Sequence, residues 1–123
     1  MITDAIQLIL NAVVNSFSPV VDTDNFPSGV FAVHQEEIAD TLRDKEGIYG
    51  FEYSVIINVI ADTQEEIDPI TEQIANLLEE ASGDIAGTIF EEVNFVSSLG
   101  VTFDEEKQKF YDQITFSITT KNK

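Results

Sequence analysis

The chain has 123 residues, of which 43% are hydrophobic and nine are Phe, so we predict one folded domain, residues 1–123, with one core. It has no cysteine, no apolar run of about 18 residues and no basic segment ahead of an apolar one, so no disulfide framework, membrane span or signal peptide is predicted. Its 23 acids against six bases give a net charge of −17, which disfavours direct contact with nucleic acid or anionic membranes.

A first helix is predicted at the beginning of the chain and ends at Ser18-Pro19. Its apolar residues recur at spacings of three and four and are Ile2, Ile6, Ile9, Leu10, Val13, Val14 and Phe17. A loop over residues 20–29 follows. Asp22 and Asp24 in this loop resemble the opening of a calcium site, but the apolar Phe26 at the fifth position favours a simple turn.

Two strands with a charged turn between them form the first predicted hairpin. The second strand, residues 49–62, has an apolar residue at every second position: Tyr49, Phe51, Tyr53, Val55, Ile57 and Val59. The preceding residues, 30–42, alternate more loosely and could also form a helix. We predict that they pair antiparallel with residues 49–62 across the turn Arg43–Gly47.

A second helix follows the turn at Thr63. Its apolar stripe comprises Ile67, Ile70, Ile74, Leu77, Leu78 and Ala81. Thr63 and Glu66 have the spacing of a capping box, while Asp68 followed by Pro69 offers a second start, so an irregular first turn is expected. Gly83 is a suitable left-handed stop.

The last part of the chain predicts a second, longer hairpin. Residues 89–103 alternate between apolar and polar positions, and Gly100 indicates a bulge or a close approach between backbones. A polar turn at residues 104–108 returns the chain as Phe110, Asp112, Ile114, Phe116 and Ile118, which we predict to face the core.

The element order is therefore helix-strand-strand-helix-strand-strand. It predicts an α+β domain with a mainly antiparallel four-stranded sheet of two hairpins and two helices packed on one face.

The sequence offers little chemistry for catalysis, and we predict that the protein is not an enzyme. There is no cysteine, and the single histidine, His34, follows Phe31 and Val33 in a strand, where a buried structural role is expected. Adjacent acids such as Glu36 and Glu37 point to opposite faces of a strand and make poor acid–base pairs. No spacing predicts a catalytic, cofactor-binding or metal-binding residue.

Several segments together resemble the tail-completion, or tail-terminator, proteins that join heads to tails in long-tailed bacteriophages. The resemblance is carried by the apolar first helix, the loop Phe26-Pro27-Ser28-Gly29, the strand and turn of residues 53–66, the helix residues 74–78, and the pair Tyr111-Asp112 in the closing strand. It covers nearly the whole chain. This sequence departs from the family in having no base before Arg43.

The resemblance implies a structural virion protein that is made in the cytoplasm of the host bacterium and located in the virion tail. It implies a ring, commonly a hexamer, that ends the tail tube and binds tail-tube and head–tail connector proteins while DNA passes through its lumen. Long stretches without bases fit a lumen that does not hold phosphates, and no specific nucleic-acid binding is expected.

The six bases are clustered, and we predict that some contact acids of a neighbouring copy. The interface candidates are Arg43, Lys45, Lys107 and Lys109. Two other functions remain open on the sequence alone: an acidic DNA mimic that inhibits a DNA-binding protein, and a ligand-binding α+β domain with an apolar pocket.

Overall fold

The computed structural model describes residues 2–17 and 29–122. Within these residues there are two α-helices, α1 (Ile2–Asn11) and α2 (Ile67–Glu79). The strands are β1 (Asn15–Phe17), β2 (Phe31–Asp44), β3 (Gly47–Ala61), β4 (Gly83–Ile85), β5 (Thr88–Ser98), β6 (Thr102–Asp104) and β7 (Lys109–Lys121). The predicted turn with Asp22, Asp24 and Phe26 lies outside the described residues.

The strands form one mixed, curled, seven-stranded sheet. Six of them follow each other in the order β1-β2-β3-β7-β5-β4, and β6 continues the line of β5 along β7. β1 pairs with β2 in parallel, and the other pairs are antiparallel. The predicted four-stranded antiparallel sheet, and with it the order helix-strand-strand-helix-strand-strand, is therefore wrong.

Three short strands account for most of this difference. β1, β4 and β6 have three residues each, too few to show a periodic pattern in the sequence. β1 also replaces the predicted end of the first helix, because α1 ends at Asn11 and the chain turns before Asn15. Ser16 donates a hydrogen bond from Oγ to Asn11 Oδ1 over 2.8 Å, which ties the new strand to the end of the helix.

The long strand pairs were predicted correctly. β2 and β3 form the antiparallel hairpin, from Phe31 aligned with Ile60 to Asp44 aligned with Gly47. β7 returns beside β5 and β6, and Gly100 separates these two strands with a φ of 83°, which confirms the predicted irregularity.

The start of α2 is irregular, as the two competing start signals predicted. A single 3₁₀ turn, Gln64–Glu66, precedes the helix, and Thr63 Oγ1 donates to Glu66 Oε1 over 2.7 Å. Pro69 is the third residue of α2, where its missing N–H costs no helical hydrogen bond. Gly83, beyond the helix, has the positive φ expected of a stop, 75°.

The core lies between the two helices and one face of the sheet. On the sheet its fully buried members include Val55, Ile57, Val59 and Ala61 of β3 and Ile114, Phe116 and Ile118 of β7. The helices contribute Ile2, Ala5, Ile6, Leu10, Ile67, Ile74 and Leu78. Each large side chain buried there contributes about 1.5–3 kcal/mol. The predicted buried face of β3 was too long, because Tyr49 is 43% exposed.

Candidate functional site

The face of the sheet opposite the helices is polar, and its middle has no lysine or arginine. Between Gly50 and Ala61 in β3, and between Phe110 and Thr120 in β7, the sequence has no lysine or arginine. We call this surface the polar face; it comprises Glu52, Ser54, Ile56, Asn58, Glu92, Asn94, Gln113, Thr115, Ser117 and Thr119, all at least partly exposed. A phosphate backbone passing over these side chains would meet no cation that could hold it.

The structure separates the four predicted interface bases into two pairs. Arg43 lies at the end of β2 and Lys45 in the turn that follows it, whereas Lys107 and Lys109 lie in and just after the turn between β6 and β7. The ladder between β3 and β7 runs for twelve aligned pairs from one end to the other, which spans roughly 36 Å. The bases are thus at opposite ends of the sheet, and whether they contact another copy stays a prediction.

Lys109 has an acidic partner inside the chain. Its Nζ bonds Asp62 Oδ1, and the Lys109 side chain is 17% exposed while that of Asp62 is 51% exposed. The hydrogen bond from Lys109 and its positive charge hold the pKa of Asp62 below its ordinary value, with a smaller contribution from the backbone of Gly29. The pair joins the end of β3 to the start of β7.

Removing Lys109 should return the pKa of Asp62 toward its ordinary value of 3.8. Because the pKa of Asp62 is lower in the folded protein, its ionised carboxylate stabilises the folded state at pH values above the ordinary pKa. That stabilisation is lost as the pH falls through the lowered pKa. NMR titration of Lys109→Met and wild type between pH 2 and about 6 measures the change, with Lys121→Met as the control. Equal Asp62 titration curves in Lys109→Met and wild type would contradict the pairing in solution.

Two stretches of strand lie at the sides of the sheet. β1 pairs with β2 only at Phe31–Val33, and β4 pairs with β5 only at Thr88–Phe90. We call residues 34–44 the β2 edge and residues 91–98 the β5 edge. Over the described ranges 2–17 and 29–122, neither stretch has a strand on its outer side. Such edges carry backbone donors and acceptors that can pair with another chain.

Large apolar side chains are exposed along both edges. Ile38 on the β2 edge is 58% exposed, and Phe95 and Val96 on the β5 edge are 46% and 58% exposed. Leu99, directly after the β5 edge, is 65% exposed. The sequence analysis missed this surface because it treated Phe95 as part of a regular alternation, although the adjacent apolar pair Phe95-Val96 already departs from that alternation.

His34 is fully buried beneath α1, as its place in an apolar strand predicted. Its Nδ1 lies 2.7 and 3.0 Å from the two carboxylate oxygens of Glu36, whose side chain is only 2% exposed. Its Nε2 lies 2.6 Å from Gln7 Oε1, and Gln7 Nε2 donates to the carbonyl of Ser16 over 2.7 Å. This network fastens α1 and β1 to β2.

A second buried acid, Asp112, organises the break between β5 and β6. It is 4% exposed and accepts hydrogen bonds from the backbone N–H of Gly100 over 3.1 Å and from Ser98 Oγ. The carboxylate therefore satisfies backbone left unpaired by the irregularity. The sequence analysis placed Asp112 among the core-facing residues of the closing strand and in the Tyr111-Asp112 pair, but it did not predict the contact with Gly100.

The described residues bring together no group of three or more His, Asp or Glu side chains that could hold a metal ion. In the same part of the chain, no helix is both long enough and apolar enough to span a membrane.

The fold resembles that of a solved virion protein. A chain in the structure of the virion of a native gene transfer agent particle superposes with a TM-score of 0.69, over 95% of this chain and 84% of that one. The two sequences are 16% identical, so the likeness shows a shared fold. Comparisons with models of protein families and with curated proteins found no match.

Proposed function

We propose that this chain is a structural protein of a phage-like virion, where it completes the tail tube and provides the head–tail joining interface. The observation that carries the proposal is the fold shared with a chain of the gene transfer agent virion over 95% of this chain. The segment resemblance to tail-completion proteins supports the more specific role at the tail.

In this proposal several copies form a ring, and the polar face lines its lumen. A net charge of −17 and the absence of bases from the middle of β3 and β7 suit a channel through which DNA passes without being held. The uncharged Ser54, Asn58, Thr115 and Ser117 on this face keep its surface hydrated.

The two ends of the sheet offer different surfaces to the two neighbours of such a ring. One end has Arg43 and Lys45 on the hairpin turn, and the other has Lys107 and the Lys109–Asp62 pair. A tail-tube protein at one end and a head–tail connector protein at the other would each meet a distinct arrangement of charge.

Light scattering of the purified protein over a range of concentration and salt, followed by electron microscopy, tests the proposal. We expect rings whose mass is a whole multiple of 13.7 kDa, and we expect these rings to bind the ends of purified tail tubes. A protein that stays monomeric with tail tubes present, and that instead binds tightly to a basic DNA-binding enzyme, would contradict tail completion and favour the DNA-mimic alternative.

A further inference from the structure

We propose that copies of this chain join edge to edge, with the β5 edge of one copy pairing antiparallel with the β2 edge of the next. The contact would close the proposed ring, and to that extent it rests on the proposed function. The pairing itself is inferred from the direction, alignment and side chains of the two edges.

The direction of the strands makes the two edges compatible. Each of β2, β3, β7 and β5 is antiparallel to the one before it, so β5 runs opposite to β2. A second copy placed beside the first in the same orientation therefore presents its β2 antiparallel to β5. Because the two edges differ, the contact is heterologous, and repeating it produces a ring when the rotation closes.

The alignment of residues across the sheet gives a natural register. Val93 is aligned through Ile118 and Tyr53 with Ile38. A neighbour at the same height therefore places its exposed Ile38 beside Val93 and close to Phe95, and an apolar pair directly opposite contributes roughly 0.2–1 kcal/mol.

The next row of aligned residues, whose side chains lie on the polar face, also brings compatible side chains together. Asn94 is aligned through Ser117 and Ser54 with Glu37, and both Asn94 and Glu37 are exposed. In the level register, the Asn94 amide of one copy lies opposite the Glu37 carboxylate of the next and can donate to it. The matched pairs are thus Val93 with Ile38 and Asn94 with Glu37, and the following row places Phe95 beside Glu36.

Bulges on either side of these rows limit the pairing to a short stretch. Ala39 interrupts β2, and Glu91 and Val96 interrupt β5. Bulges bend and twist a strand, which opposes long flat stacking of sheets and favours a curved assembly.

At one end of the contact, β4 limits how far the two edges can pair. Leu42 is aligned through Gly50 and Lys121 with Ile89, and the outer side of Ile89 is already paired with Asp84 of β4. Glu92 is aligned through Thr119 and Glu52 with Asp40, and these like charges oppose pairing beyond Val93. The contact is therefore short at this end.

A pair of engineered cysteines tests this register, because the natural chain has none. We expect the double variant Glu37→Cys, Asn94→Cys to form covalent chains of several copies on mild oxidation. Residues directly opposite in an antiparallel pair have Cα atoms about 5 Å apart, which suits a disulfide. Mixing the two single variants should give mixed dimers only.

The matched control is Thr41→Cys with Asn94→Cys, which shifts one cysteine along the same edge by roughly 10 Å and should cross-link far less. Equal cross-linking of the control, dimers of Glu37→Cys alone, or no cross-link at any concentration would overturn the edge pairing. Rings that form without the Glu37–Asn94 cross-link would overturn the pairing but leave the proposed function standing. Cross-linked filaments that never bind tail tubes would support the edge pairing and contradict the proposed function.

Discussion

Replacing Glu36 by Leu is expected to lower the free energy of unfolding by about 3 kcal/mol, because it leaves His34 buried without its acidic partner. Gln7 cannot compensate. Its Nε2 donates to the carbonyl of Ser16, which fixes its oxygen toward His34 Nε2. Both ring nitrogens of His34 therefore face acceptor oxygens, Nδ1 the carboxylate of Glu36 and Nε2 the amide oxygen of Gln7.

The measurement is chemical denaturation of wild type and variant at a concentration where both have the same mass by light scattering, since assembly would alter apparent stability. Glu37→Leu is the matched control, because the neighbouring Glu37 is exposed and its loss should change stability by no more than about 0.5 kcal/mol. Glu36→Gln keeps one acceptor oxygen beside His34, so its free energy of unfolding should lie between those of Glu36→Leu and Glu37→Leu. If Glu36→Leu and Glu37→Leu have the same stability, the buried pair does not hold α1 and β1 to β2.

The long elements of this fold could be predicted because their side chains alternate over many residues. In β3 and β7 the alternation is regular, and every second residue in the middle of each strand is buried. β5 failed this test because its bulge at Glu91 changes which side chains face the core. Phe90 is 2% exposed and shares the core side with Val93, whereas a regular alternation places them on opposite faces.

The site was predictable only in its overall character. The absence of bases from residues 46–106 and from residues 110–120 is visible in the sequence, and it accounts for the base-free middle of the polar face. The separation of Arg43 from Lys107 by the length of the sheet depends on how β3 pairs with β7, which no local pattern reveals. The internal partner of Lys109 was hidden for the same reason, since Asp62 is 47 residues away in sequence.

Replacing Gly50 by Ala is the second change with a large expected effect, a loss of about 3 kcal/mol in the free energy of unfolding. A Cβ at Gly50 would lie 2.1 Å from the backbone carbonyl oxygen of Thr120, a rigid neighbour that no side-chain rotation can move. β7 must therefore shift away from β3 at this end. The hydrogen bond from the Asn122 backbone N–H to the carbonyl of Tyr49, 2.7 Å long, should open with it.

Gly87→Ala separates this steric effect from backbone strain. Gly87 has a φ of 87°, but a Cβ there meets nothing within 4 Å, so only the left-handed conformation is penalised, by roughly 1–2 kcal/mol. Denaturation gives the two losses, and hydrogen exchange at Asn122 should accelerate in Gly50→Ala and stay unchanged in Gly87→Ala. Unchanged protection of Asn122 in both variants would show that β7 absorbs the added methyl group without leaving β3. The alignment of Leu42 with Ile89, which runs through Gly50, would then persist although the added methyl group crowds the carbonyl oxygen of Thr120.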